Sequence, residues 1–359
     1  MRAAIFNAPH EELTFGNVDV DEPREHEVLI KTVASGVCHS DLHFVDGLYP
    51  MRAPAVLGHE AAGIVQAVGS LVTEVEVGDR AITCLSVFCG NCDQCLSGHP
   101  VLCERRPTRA YGDTPRLSYE GDPMTQMANI GSYAEQMLVH ENGVVKLTQD
   151  IDFDRAALIG CGVTTGVGSV LNTAKIEAGS TVAVFGAGGV GLSAIQGARI
   201  GGARMIIAVD VVESKLATAR ELGATHSVDA SSRDPVDAIR DLTGGGADYS
   251  FEAIGLKIAA EQCFEAIRPG GTATIIGMIP VGQKIELDGP SFLREKKIQG
   301  SSMGSNRFRS DMPKYIDFYL QGRLNLDDMI TRRGTLEDVN EAFRAMKAGE
   351  VARSVLMFD

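Results

Sequence analysis

Up to residue 150, short apolar runs alternate with Gly, Pro and Asp; Glu27–Val33, Ala62–Val68 and Arg80–Thr83 are the clearest. Spacing of this kind predicts a bent antiparallel sheet or partial barrel. Residues 104–131 break the pattern with Pro107, Pro115, Pro123 and a cluster of charges, which predicts a long surface loop or lid. From residue 178 the pattern changes. Ser180–Phe185 is a continuous β-branched run, as expected of a strand buried in a parallel sheet. A Gly-rich turn follows, then a helix over 192–200, a second buried strand over 204–210, and a helix from Glu213 to Leu222 stopped by Gly223. Strands at 248–252 and 272–277 flank a helix at 259–267. This alternation predicts an α/β fold with a doubly wound parallel sheet. The tail predicts helices near 311–321 and 336–348 and ends in an apolar run from Arg353.

A length of 359 residues exceeds one core of typical size, so two domains are expected. Gly, at 40 residues of 359, is about 11 % against a usual ~7 %, which implies many tight turns or close backbone approaches. The hydrophobic share of 44 % and charged share of 22 % are those of an ordinary globular protein. The net charge of −14 argues against nucleic acid and anionic membranes as partners, and no Lys/Arg run makes a local exception. An anionic cofactor then needs a local device such as a helix N-terminus. No stretch is expected to reach the ~20 uncharged apolar residues of a membrane helix. The first residues lack a signal-peptide core, so a cytoplasmic location is expected.

Four of the eight cysteines, Cys89, Cys92, Cys95 and Cys103, lie within one short segment. In a reducing compartment such clustering points to metal rather than disulfides. Four thiolates can close tetrahedrally on zinc and leave no open position, which is a structural site; an iron–sulfur cluster is the other soft-ligand possibility. Gly186-Ala-Gly188-Gly189-Val190-Gly191 follows a buried strand and opens a helix, the context a dinucleotide fingerprint requires. These glycines permit the tight turn and close approach of a pyrophosphate, and the helix N-terminus favours its charge. Asp210 ends the next strand, where a carboxylate accepts from ribose hydroxyls and repels a 2′-phosphate, so NAD is expected over NADP.

Cys38, His59 and Cys161 are scattered in sequence. Two thiolates and an imidazole leave zinc an open position, the catalytic pattern, but spacing alone does not mark this trio. Local sequence does. Gly36-Val-Cys38-His-Ser40-Asp41, Gly58-His59-Glu60-Ala-Ala-Gly63, the four-cysteine loop, Gly160-Cys161-Gly162-Val-Thr-Thr-Gly166 and the Gly-rich turn occur in order. Together they resemble the zinc-dependent medium-chain alcohol dehydrogenases over the whole chain. Overall length and the 104–131 segment look more like the dimeric class that includes glutathione-dependent formaldehyde dehydrogenases.

The resemblance implies a GroES-like catalytic domain with a structural-zinc lobe over 1–162, an NAD-binding Rossmann domain over 163–302, and a return to the catalytic domain over 303–359. It implies one catalytic zinc on Cys38, His59 and Cys161 and one structural zinc on the four-cysteine loop. Asp41 would orient the His59 ring, Glu60 would lie behind the metal, and Ser40 and His43 would relay the substrate proton. His39 and Arg353 would meet the pyrophosphate, Lys215 the adenosine ribose and Thr165 the nicotinamide. The backbone at Ile276 and Met278 would meet the carboxamide. His39 stands where many relatives carry Arg.

The expected activity is hydride transfer between a primary alcohol or aldehyde and NAD(H), in a homodimer or homotetramer. A thiol-dependent formaldehyde dehydrogenase is the nearest alternative and would need basic side chains such as Arg105, Arg106, Arg109 and Arg116; these equally suit a solvated loop. A polyol dehydrogenase fits less well, a zinc-free reductase would not need the Cys/His trio, and a non-catalytic binding protein would not need a relay. Cys84 and Cys263 read as buried thiols. His10, His26, His99, His140 and His226 read as surface or structural. Met124, Met127, Tyr111 and Tyr119 read as packing or lid residues.

Overall fold

The computed structural model describes residues 1–107 and 115–359; Arg109 and Tyr111 lie outside them. The chain divides into two compact units. The first comprises 1–161, 307–320 and 330–359, and the second 162–306 and 321–329. Residues 321–329, expected with the catalytic domain, join the second unit because the Gln196 amide bonds the Asn325 backbone at both its oxygen and its nitrogen, 2.7 and 3.0 Å.

The first unit is built on two largely antiparallel sheets. Its long strand, Glu27–Val37, alternates buried and half-buried residues up to Val33 and is then buried without interruption, because it is flanked by Ala61–Val68 on one side and Arg353–Met357 on the other. The 104–131 segment is not all loop. Leu117–Tyr119 and Asp122–Gln126 form an antiparallel hairpin turned by Glu120 and Gly121, both at positive φ. Met124 and Met127 are buried in the core, so they pack rather than line a lid.

The second unit carries a six-stranded, wholly parallel sheet. Its strands run in space as His226–Asp229, Met205–Asp210, Thr181–Phe185, Ala247–Glu252, Ile267–Ile275 and Lys297–Gly300. In chain order that is the dinucleotide-binding arrangement, with a switch point beside the first strand.

A helical run over 153–174 joins the two units in sequence. It is long and apolar enough to cross a membrane, contrary to the sequence expectation, but 83 % of its apolar window is buried inside the protein. It is a core helix. Two stretches of it, Ile159–Val163 and Ser169–Ala174, are π-helical, a form that recurs at functional sites.

Candidate active site

Three elements of the first unit bring the scattered trio together. Cys38 directly follows the long strand and stands at the N-cap position of the short helix His39–Val45. His59 follows a turn at Gly58, whose φ of +90° suits glycine. Cys161 lies in the first π-helical stretch, next to Gly160, where a Cβ would stand 2.9 Å from the Thr83 carbonyl. The donor atoms of Cys38, His59 and Cys161 all lie within 4.8 Å of one another, and all three residues are buried. Nε2 of His59 is 3.2 Å from the Cys161 sulfur. Hydrogen bonding to Cys161 holds the Cys38 thiol well below its ordinary range, and the same bond holds Cys161 well above it. Two thiols that cannot both ionise at this separation are what a divalent cation relieves, so the donor set fits zinc.

Asp41, fully buried, stands behind the imidazole. Its Oδ1 accepts from Gly58 N at 2.9 Å and faces His59 Nδ1 at 3.2 Å. Burial alone would lower the His59 pKa, but Asp41 outweighs it and the pKa lies well above its ordinary value. The Asp41 Oδ2 accepts from the hydroxyl of Tyr133 at 2.9 Å. Tyr133 escaped sequence reading because a lone aromatic in a strand-like run carries no spacing signal. Ser40 Oγ lies 3.7 Å from the Cys38 sulfur. His43, on the same helix, stacks on Tyr49 with ring centroids 5.9 Å apart, and its Nδ1 is buried with no hydrogen-bond partner among the described residues. His39 is exposed and meets His43 edge-on at 6.5 Å.

Arg353 is buried and bonded to the Glu60 carboxylate within the first unit. Arg116 departs from expectation. Its side chain is 4 % exposed and pairs with Asp21 and Glu27, so it braces the fold and is not a free cation. Arg106 donates to the Val101 carbonyl at 2.7 Å, and Arg105 is exposed.

The four-cysteine loop closes as a second cluster, with sulfurs 3.5 to 4.0 Å apart for the pairs Cys92–Cys95, Cys92–Cys103 and Cys89–Cys95. Gly90 and Gly98, both at positive φ, make its bends. Backbone N–H groups bring Cys92 down to about 6. Burial, with the neighbouring sulfurs, pushes Cys95 up to about 12. A dication removes that conflict, and four thiolates leave it no open position.

In the second unit the Gly-rich turn has the form a dinucleotide needs. A Cβ at Gly191 would stand 1.8 Å from the Gly186 carbonyl, and Gly186 has φ of +95°. A Cβ at Gly188 would meet nothing, leaving open space at the N-terminus of Gly189–Ile200. Val190 is packed from behind by Gly166, where a Cβ would come within 2.3 Å of its carbonyl. Asp210 accepts from Ala187 N at 2.8 Å and from Val211 N and Val212 N, tying the turn to the end of the second strand. Lys215 lies in the helix that follows. Thr165 is buried against Met303. Glu252, also buried, accepts from the backbone of Ile254, Gly255 and Gly277, and so fixes the turn that carries Ile276 and Met278.

A buried Cys₂His centre, a closed Cys₄ lobe and a parallel dinucleotide-binding sheet define a zinc- and nucleotide-dependent dehydrogenase. Family comparison agrees. Residues 24–149 match the alcohol dehydrogenase GroES-like domain, and residues 189–321 match the zinc-binding dehydrogenase domain. An S-(hydroxymethyl)glutathione dehydrogenase of Aspergillus oryzae is 40 % identical, over 99 % of this chain and 95 % of its own. A solved zinc-binding-domain alcohol dehydrogenase of Burkholderia ambifaria superposes with a TM-score of 0.94 at 36 % identity, covering 100 % of this chain and 98 % of its own. Benzyl alcohol dehydrogenase of Acinetobacter calcoaceticus superposes with a TM-score of 0.93 at 32 % identity, covering 100 % and 99 %. The chain belongs to the zinc-dependent medium-chain alcohol dehydrogenase family, and it is an oxidoreductase of small alcohols and aldehydes.

Proposed function

We propose that this enzyme oxidises primary alcohols to aldehydes, and reduces aldehydes in reverse, with NAD(H). The observation that carries the reading is the buried, convergent Cys38–His59–Cys161 donor set with Asp41 behind the imidazole. Three protein ligands leave a tetrahedral cation one position for substrate. Zinc held there supplies Lewis acidity, as where it lowers the pKa of water from ~16 toward ~7. Bound NAD supplies the nicotinamide carbon that accepts hydride.

The rest belongs to the chain. Ser40 Oγ takes the alcohol proton, and His43, whose Nδ1 has no partner among the described residues, passes it toward solvent. Asp41 holds the His59 proton on Nδ1 and keeps Nε2 as the ligand atom. The N-terminus of Gly189–Ile200 receives the pyrophosphate. Asp210 reads the adenosine ribose with Lys215 nearby. Thr165 and the backbone of Ile276 and Met278 position the nicotinamide. Glu60 stays behind the cation, balanced by Arg353.

A second reading, oxidation of a hydroxymethyl thiol formed from formaldehyde, is favoured by the S-(hydroxymethyl)glutathione dehydrogenases among the relatives. With Arg116 committed to the fold, exposed Arg105 and Arg106 are the described candidates left in this segment to meet such a substrate. Initial rates of NADH formation on primary, secondary, aromatic and polyol alcohols, and on formaldehyde with and without glutathione, decide between them. Thiol-free turnover of primary alcohols is expected. Turnover only with thiol transfers the assignment to the second reading, and no turnover by a protein holding two zincs overturns both.

The protein is read as a homodimer, or a homotetramer built from such dimers. The outermost strand Lys297–Gly300 pairs on one side only among the described strands, close in sequence to the exposed Leu293, and this supports edge-to-edge pairing. Six cysteine ligands that must stay reduced support a cytoplasmic location.

A further inference from the structure

We propose that Tyr133 is a positioning residue for the catalytic metal, acting through Asp41 on the His59 ring. The proposal rests on the assignment of Cys38, His59 and Cys161 as zinc ligands.

The chain of contacts is short and buried throughout. Tyr133 donates from its hydroxyl to Asp41 Oδ2 at 2.9 Å, while Asp41 Oδ1 faces His59 Nδ1 at 3.2 Å. All three side chains are at most 1 % exposed. An aspartate's terminal torsion has a broad, roughly two-fold well, so the Gly58 and His59 donors on Oδ1 do not by themselves fix the carboxylate plane. A donor on Oδ2 does. With the plane fixed, Oδ1 points at Nδ1, and the imidazole is held with Nε2 toward the sulfurs.

Tyr133 is itself held rigidly. Its N–H donates to the Leu57 carbonyl at 3.0 Å, and Ser132 N–H donates to Gly58 at 3.0 Å. These are the two residues that lead into His59, so the phenol and the imidazole ride on paired backbone. The Tyr133 ring meets Phe343 edge-on at 6.2 Å. The approach needs glycine at 58, because a Cβ there would stand 2.7 Å from Tyr133 Cδ1 and 2.8 Å from its nitrogen. A phenylalanine at 133 would pack the same space and leave Oδ2 without that donor.

The test is zinc release to a chromogenic chelator from the Tyr133→Phe holoenzyme, followed at both sites. Partners behind metal-bound histidines are worth roughly 10–100-fold in metal affinity. Release of the catalytic zinc is therefore expected to quicken by about that factor, with release from the four-cysteine lobe unchanged. A purely structural role would loosen both. Asp41→Asn should quicken catalytic release as well, and adding Tyr133→Phe to it should change release little further. Wild-type release from Tyr133→Phe, equal loosening of both zincs, or full multiplication of the two effects would overturn the proposal. Wild-type protein with a single zinc per chain, held by the four-cysteine lobe, would instead overturn the ligand assignment on which it rests.

Discussion

Arg353 closes onto the carboxylate of Glu60, and neither side chain reaches solvent, at 6 % and 0 % exposure. Burial disfavours the arginine's charge, but Glu60, with Cys38 and Cys161, more than compensates and holds its pKa above the ordinary value. The pair also depends on Gly36, where a Cβ would stand 2.9 Å from the Glu60 carboxyl. Breaking a buried pair from one side leaves an uncompensated charge and costs about 3–5 kcal/mol. Arg353→Met should therefore lose about that much in denaturant unfolding, and Glu60→Gln with Arg353→Met should recover part of it.

The four-cysteine lobe predicts a separable loss. Cys103→Ser removes one ligand of a closed site. Metal analysis should fall from two zincs per chain to one, with a lower thermal midpoint. The remaining zinc should still be released at the wild-type catalytic rate; a loss of both zincs would mean the two sites are coupled.

Asp154 sets an acid limit on stability. Burial pushes its pKa up, but hydrogen bonds from Arg155 and Arg333 outweigh that and leave it below the ordinary value. The unfolded chain, with an ordinary carboxyl near pH ~3.9, then binds more protons than the folded one. The stabilisation is present above that pH and is lost as pH falls through the lower folded value. Asp154→Asn should be less stable at neutral pH, and its deficit should shrink in acid. A constant deficit from pH 7 to pH 3 would remove Asp154 from this role.

Ser40→Ala tests the proton path. Turnover should drop while NAD affinity holds, because Ser40 lies beside Cys38 and not in the dinucleotide turn. General acid–base contributions run about 10²–10⁴-fold. Unchanged turnover under conditions where hydride transfer is rate-limiting, as shown by a deuterium isotope effect, excludes Ser40 from the path.

Asp210→Ala should raise NADP use relative to NAD. Hydrogen bonds to a charged acceptor are worth about 1.5–3 kcal/mol, so the preference ratio should move by at least tenfold. Because Asp210 also ties Ala187 to the second strand, some loss with both cofactors is expected; a ratio that stays put would deny it the ribose.

Local spacing carried much of this architecture. The four-cysteine loop and the Gly-rich turn each lie within one short segment, so their chemistry is written in neighbouring residues. Strand–helix alternation from 180 to 275 was equally plain. The Cys38–His59–Cys161 trio comes from three elements far apart in sequence, and only the resemblance of the flanking motifs linked them. Tyr133, Arg116 and the Glu60–Arg353 pair stayed hidden because each depends on a partner far along the chain. The 117–126 hairpin hid among prolines and charges, since a short strand beside a positive-φ turn leaves almost no periodicity.

The apolar helical run of 153–174 has a consequence for biosynthesis. Gly166 packs on the turn at Val190, and Gly168 packs on Gly304, where a Cβ would lie 2.5 Å from the carbonyl. Both partners follow the run in sequence, the second by 130 residues. A segment apolar enough to cross a bilayer therefore cannot complete its packing until residue 304 has been synthesised.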